Sequence, residues 1–312
     1  MRTMTALCGA LLLLVLAAPA ATAREPRPTG RTIGAAAGTG AMPAVAQAWS
    51  DAPGYTVYRP ARLPRRPLPV VLWGNGGCFD NGLMASHFLR EVASHGYIIV
   101  ANGAPREERP VVAAVPFVTV PAPAALPVQR TAPDQTQVSQ LLAAIDWLGR
   151  SALRRNADTR RVAVMGHSCG GLQALAAGAD PRIRTVVAFN SGIYVRPGLG
   201  LSGVGIVKDD LRKLHTPVAY ILGGPADIAY PNGSDDVARL DHVPVFYGNY
   251  PVGHGGTFWL ANGGEYARVA VAWLDWQLKA SQAAGATFAG ADCGLCRAKD
   301  WTIVRKQFPE RP

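Results

Sequence analysis

Charge is scarce in this chain, and acid is the scarcer half. Asp, Glu, Lys and Arg make up 17% of its 312 residues, with 21 acidic side chains against 31 basic ones and a formal net charge of +10. The arginines are scattered (Arg59, Arg62, Arg65, Arg66, then Arg154, Arg155, Arg160, Arg161) and no nucleic-acid motif lies beside them. The basicity therefore reads as a solvated surface, compatible with anionic envelopes or polymers and giving no reason to expect nucleic acid. Long apolar runs are missing too. No segment approaches the ~20 apolar residues of a membrane-spanning helix, so no stable membrane insertion is expected. No internal repeat occurs, which excludes a solenoid or propeller. No His, Cys, Asp or Glu cluster has metal-ligand spacing other than one CxxC, so no metal or cofactor is implied.

The N-terminus has the parts of a signal peptide. Arg2 supplies a positive start, residues 10–18 an apolar core, and Ala21-Thr22-Ala23 a small-residue cleavage site. The expectation is cleavage after Ala23 and a secreted or periplasmic protein. Cys8 precedes the apolar core, away from the cleavage point, which speaks against a lipoprotein anchor, and there is no twin-Arg pair. Four of the five cysteines remain after such cleavage: Cys78, Cys169, Cys293 and Cys296. Export permits disulfides, and four cysteines allow three connectivities. Spacing favours Cys293 with Cys296, which leaves Cys78 and Cys169 to pair with each other or stay free.

From residue 51 the chain alternates between two patterns. Buried-strand composition marks residues 70–73, 97–101, 162–165, 185–189 and 218–222, with a weaker run at 243–247. Helical spacing marks residues 85–95, 138–148 and 267–281, and residues 172–177 also read as a helix. Residues 56–59 suggest an early edge strand that stops at Pro60. Such alternation predicts an α/β fold with a mostly parallel, doubly wound sheet. Residues 24–50 read as a flexible lead-in, 51–282 as the catalytic domain, and 283–312 as a C-terminal tail stapled by its CxxC. Residues 104–131 are Pro-rich and aperiodic, an excursion after a strand C-terminus, where such sheets bind ligands.

The run at 162–165 passes into Gly166-His167-Ser168-Cys169-Gly170 and then the helical segment. A serine on so tight a strand-to-helix turn is pushed out with its hydroxyl exposed, and the helix start after it offers N–H groups to a developing anion. The run at 70–73 ends in Gly74-Asn75-Gly76-Gly77-Cys78, where a second anion-binding N–H belongs. Gly77 (or Gly76) and Cys169 are the candidate donors. Among the histidines only His254, in Gly253-His254-Gly255-Gly256, lies between a late strand and the last helix. His87 and His95 sit on a helix, and His215 and His242 precede strands. Asp227 follows the strand at 218–222 and lies between Ser168 and His254 in the chain, with Asp235 and Asp236 as competitors. Trp73, Tyr194 and Trp259 are candidates to line a substrate pocket, or to be core.

In these residues, and in their order Ser, Asp, His, the chain resembles the α/β-hydrolase superfamily over residues 55–282. With no large cap domain evident, it is most similar to the compact cutinase, dienelactone-hydrolase and lipase-like branch. Two positions depart from many relatives: Asn75 stands where a His often precedes the glycines, and Cys169 where Met, Gln or Leu is common. The resemblance implies a serine esterase, with Ser168 as nucleophile, His254 as base, Asp227 as its orienting acid, and a small-molecule or polymeric ester as substrate. A disulfide between Cys78 and Cys169 would fix the anion-binding turn, and two free buried thiols are the alternative. The rival readings are a serine peptidase or amidase on the same site, a non-catalytic binding protein, and a thiol–disulfide oxidoreductase built on Cys293 and Cys296. The sequence is silent on oligomeric state.

Overall fold

A computed structural model describes residues 29–118, 135–195 and 204–308. The expected signal peptide, residues 1–23, lies outside the described residues, as does the 119–131 part of the Pro-rich excursion. In chain order the strands and helices are β1 (Gly30–Ala37), β2 (Ala44–Trp49), β3 (Tyr55–Pro60), β4 (Leu68–Gly74), α1 (Ser86–Ser94), β5 (Ile98–Asn102), α2 (Val138–Arg150) and β6 (Ala157–His167). They continue as α3 (Cys169–Ala177), β7 (Ile183–Phe189), β8 (Val218–Leu222), α4 (Tyr230–Arg239), β9 (Val245–Asn249), α5 (Gly264–Lys279), α6 (Gln282–Gly285) and β10 (Thr302–Lys306).

One mixed, mostly parallel sheet of ten strands runs β1-β2-β3-β5-β4-β6-β7-β8-β9-β10. The six strands from β5 to β9 in that order are mutually parallel. Their side chains alternate between two apolar layers, as strand geometry requires. Val70, Leu72, Val162 and Val164 face the layer that α2 and α3 cover. Val71, Trp73, Ala163 and Met165 face the layer under α1 and α5. Both faces are therefore buried, which is why these strands read as continuous apolar runs. The chain passes from β4 to β5 on one side and then to β6 on the other, so the strand order reverses at β4 and β6. A crevice opens at the C-terminal ends of strands where such a reversal occurs.

The periphery corrects the sequence reading. Residues 30–37 and 44–49, expected in a loose lead-in, form β1 and β2, paired antiparallel with each other, and β2 pairs with β3. β3 is internal, bonded to β2 on one side and β5 on the other, and it includes Pro60. The tail is a wrap only in part, because β10 extends the sheet by pairing antiparallel with β9. α4 was not anticipated at all. The described part of the excursion is strapped down: Glu108 takes a hydrogen bond from Ser86 and an ion pair from Arg90, while the Val112 and Val118 N–H groups donate to the carbonyls of Trp259 and Pro251. Among the described residues no helix is long and apolar enough to cross a membrane. Disulfides join Cys78 to Cys169 and Cys293 to Cys296.

Candidate active site

β6 ends at His167 and α3 begins at Cys169, so Ser168 alone makes the turn. It does so at φ 54, ψ −118, a conformation few L-residues adopt. The surroundings hold it there. Its N–H donates to the Phe189 carbonyl (2.9 Å), and its own carbonyl accepts from Gly171 N–H (2.9 Å) and the Ser191 hydroxyl (2.7 Å). The flanking glycines are required by space: a Cβ on Gly166 would stand 2.1 Å from the Gly170 oxygen, and one on Gly170 would stand 2.0 Å from the Gly74 oxygen. The turn after β6 is thus pressed against the turn after β4.

His254 comes from the loop after β9 and Asp227 from the turn after β8. The two meet in a hydrogen bond, His254 Nδ1 to buried Asp227 Oδ1, at 2.6 Å. His254 Nε2 lies 2.9 Å from Ser168 Oγ. Burial alone would raise the Asp227 carboxyl, but the bonds it accepts from His254 and from the Ala229 and Gly223 N–H groups outweigh that and hold it below the usual carboxylate range. An ionised carboxylate only accepts, so Nδ1 of His254 carries its proton and Nε2 is left to accept from the Ser168 hydroxyl. Asp227 Oδ2 also accepts from Asn190 Nδ2 at 2.8 Å, and the same amide donates to the Gly253 carbonyl at 2.9 Å. The competitors are engaged elsewhere. Asp235 pairs with Lys208 and Arg239, and buried Asp236 pairs with Lys208 and accepts from Ile193 N–H.

The turn after β4 is tied on several sides. Buried Asn75 accepts from Trp73 Nε1 (2.9 Å) and donates to the carbonyls of Asn102 (2.6 Å) and Phe79 (3.1 Å). Gly77 is left-handed at φ 64, and a Cβ there would meet the Phe79 ring at 2.4 Å. Cys78 donates its N–H to Asn75, and its carbonyl accepts from Thr136 N–H at 2.8 Å. The Cys78–Cys169 disulfide then brings the turn to the residue after Ser168, with the two Cα atoms 5.2 Å apart. As the first residue of α3, Cys169 has an N–H that no helical carbonyl can take.

His167 is a second imidazole in the site. Its ring packs on Phe258 and beside His254, and its Nε2 lies 2.8 Å from the His254 carbonyl. A carbonyl only accepts, so Nε2 carries the proton. Burial, seconded by the nearby His254, pushes the His167 pKa down to about 3, so the ring is neutral at ordinary pH.

Of the three expected pocket residues, Trp73 and Trp259 help line a small hollow with Asn75, Gly76, Met84 and His167. Trp73 is fully buried there, a core ring that anchors Asn75. Trp259 is half-buried, donates to the Met84 carbonyl and carries the Arg109 guanidinium 4.7 Å above its ring. Tyr194 packs instead against the core layer that α2 and α3 cover. Asn75 and His167 occupy the variable positions of the two glycine-rich turns and Asn190 lies outside both, so no motif assigned them a role; for Asn190 the only available signal was an Asn directly after an apolar strand, a residue type suited to a left-handed turn. No family model matches this chain and no curated protein matches it, so the site is read from its own geometry.

Proposed function

We propose that the protein is an exported serine hydrolase of carboxylic esters, built on the α/β-hydrolase fold without a large cap. One observation carries the reading: the continuous hydrogen-bonded series Ser168–His254–Asp227, with the serine on a strained turn at a helix start. In this mechanism Ser168 Oγ attacks the ester carbonyl while His254 Nε2 takes its proton. The carbonyl oxygen becomes an anion that accepts hydrogen bonds from the N–H groups of Cys169 and Gly77. Asp227 holds the imidazole in its tautomer and balances the imidazolium. His254 returns the proton to the leaving alkoxide as the C–O bond breaks, leaving an acyl-enzyme. Water, deprotonated by His254, then releases the acid and restores Ser168. Exposed Phe79 and Ile228 directly follow the turn after β4 and Asp227, so apolar surface borders the site and favours esters with apolar groups.

Hydrolysis of p-nitrophenyl esters of graded acyl length, with wild type beside Ser168→Ala, tests this. Wild type should turn over and the variant should lose at least about 10⁴-fold in kcat. Equal rates in the two would overturn the reading. Turnover of matching amides at comparable rates would replace the esterase with a peptidase or amidase.

A further inference from the structure

Within the hydrolase reading, we infer that Asn190 is a positioning residue, one that fixes the carboxylate of Asp227 and the loop of His254 in a single relation. β7 ends at Phe189, and Asn190 immediately turns left-handed at φ 45. Asn and Asp tolerate that region far better than other residues with a Cβ. Its N–H remains tied to the sheet, donating to the Ile221 carbonyl at 2.8 Å. The side chain is thereby turned into the gap between the turn after β8 and the loop after β9, and the residue is fully buried there.

What it meets in that gap decides its orientation. Nδ2 stands 2.8 Å from Asp227 Oδ2 and 2.9 Å from the Gly253 carbonyl. Both neighbours are acceptors, so the atom between them is the NH₂ and both of its hydrogens are used. The gap is tight: a Cβ on Gly223 would stand 1.9 Å from the Gly253 oxygen and 2.9 Å from Asn190 Nδ2. One amide therefore bonds the acid directly and the base through the residue before it. With Gly223 N–H it holds Oδ2, while Oδ1 accepts from His254 and from Ala229 N–H, and by donating to Asp227 it neutralises part of that carboxylate's charge.

Two other titratable groups near the pair are held in their neutral form by burial. His167, from β6, is neutral through burial, and Tyr266, from α5, is raised well above its ordinary value by burial. Arg109 lies beyond Trp259, beside His167. A change in the pH profile on altering Asn190 therefore reports on Asp227 and His254.

The test uses the full chain with Asn190→Asp, which keeps shape and tolerates the backbone, and Asn190→Gly, which suits the left-handed turn even if the added carboxyl prevents folding. Each is measured for kcat, KM, the pH profile of kcat/KM, and the downfield proton resonance shared by His254 Nδ1 and Asp227. Loss of a hydrogen bond to a charged group predicts a fall in kcat of about tenfold to a hundredfold with KM unchanged. The acid limb should move to higher pH in both variants. A carboxylate less neutralised by hydrogen bonds, or joined by a second acidic group, favours the imidazolium, so more alkaline solution is needed to free the base. The shared resonance should change position. A folded variant with wild-type kcat, an unmoved acid limb and an unmoved resonance would overturn the inference, as would a loss of stability alone. Absence of Ser168-dependent turnover in wild type would remove the hydrolase reading instead, and the resonance, which needs no turnover, would still decide whether Asn190 positions the pair.

Discussion

His167, the residue before Ser168, donates its Nε2 hydrogen to the backbone carbonyl of His254 at 2.8 Å. Cys169, the residue after Ser168, is bonded to Cys78 in the turn after β4. The proposed nucleophile is thus flanked on one side by a link to the proposed base and on the other by a link to the proposed anion-binding turn. Two loops from distant parts of the chain are tied to one short segment, and each link can be cut separately.

Cutting the first should reduce rate and stability together. His167→Phe can fill the ring's place beside Phe258 but leaves the half-buried His254 carbonyl without its donor. That should cost about 1–3 kcal/mol of stability. A base loop that drifts by even a fraction of an ångström loses alignment with Ser168, so kcat should fall with little change in KM. His167→Gln retains an N–H donor and should recover part of both. Urea denaturation and steady-state kinetics on the two variants decide it; a Phe variant equal to wild type in both would show the link to be idle.

The same histidine sets a pH limit on the fold. Its folded pKa, about 3, lies below its ordinary value of 6.5. An unfolded chain therefore binds a proton at this residue where the folded chain does not. The stabilisation is fully present above the unfolded value and is lost as pH falls from 6.5 toward the folded value. At most it amounts to something on the order of 5 kcal/mol by the end of that window. Thermal midpoints measured from pH 7 down to pH 4 should fall in wild type and fall less in His167→Gln. Parallel curves would remove His167 from the account of acid sensitivity.

The parallel strands were legible because both faces are buried: runs such as residues 98–101 and 186–189 are Val, Ile, Ala and Phe without a polar alternation. β1 was not, since its Gly and Ala residues have little strand preference and most of the strand is exposed; pairing with β2 makes it a strand. β10 is half-polar for the same reason, lying at the other edge. α4 opens on Tyr-Pro-Asn-Gly, a string that reads as a turn, and the buried Asp236 that anchors it looks like surface charge in a sequence. Ser168, Asp227 and His254 were legible because each follows a strand end with small neighbours. Asn75 reaches Asn102, His167 reaches His254, and Asn190 reaches Asp227 and Gly253, contacts between residues distant in the chain that no local pattern encodes.

Two glycines should respond to alanine with opposite signs. A Cβ on Gly170 would stand 2.0 Å from the Gly74 oxygen and 2.6 Å from the Asn75 nitrogen. Both are backbone atoms of the turn after β4, so relief requires that turn to move. Gly170→Ala should destabilise by about 1–3 kcal/mol or more and lower kcat sharply. Gly149 lies near the exposed end of α2, and a Cβ added there would meet nothing within 4 Å. Gly149→Ala should stabilise by about 0.5–1 kcal/mol by reducing the freedom of the unfolded chain, with kcat unchanged. Thermal melts of the pair give the comparison, and a neutral Gly170→Ala would mean that the two turns are not held in contact.

Cutting the second link separates stability from rate. The Cys78–Cys169 bond spans 91 residues of sequence, so its loss frees a long loop in the unfolded chain and should cost about 2–4 kcal/mol. The turn after β4 would still be held by the hydrogen bonds of Asn75 and by Thr136 at the Cys78 carbonyl. A double Cys78→Ala, Cys169→Ala variant should therefore fold, melt earlier, and be assayable below its lowered midpoint. What it loses is the covalent constraint between the turn after β4 and Cys169, the two places that supply the proposed anion-binding N–H groups. Loss of a single such donor lowers kcat by about 10²–10³-fold in comparable chemistry, and misalignment should cost part of that with KM little changed. The Cys293–Cys296 bond is the internal control, because it closes only three residues of chain and lies in the tail. Cys293→Ser with Cys296→Ser should cost less stability and leave kcat as it is. If both double variants keep wild-type kcat, the bond at Cys78 and Cys169 serves the fold alone; if only the first loses rate, the disulfide belongs to the anion-binding turn.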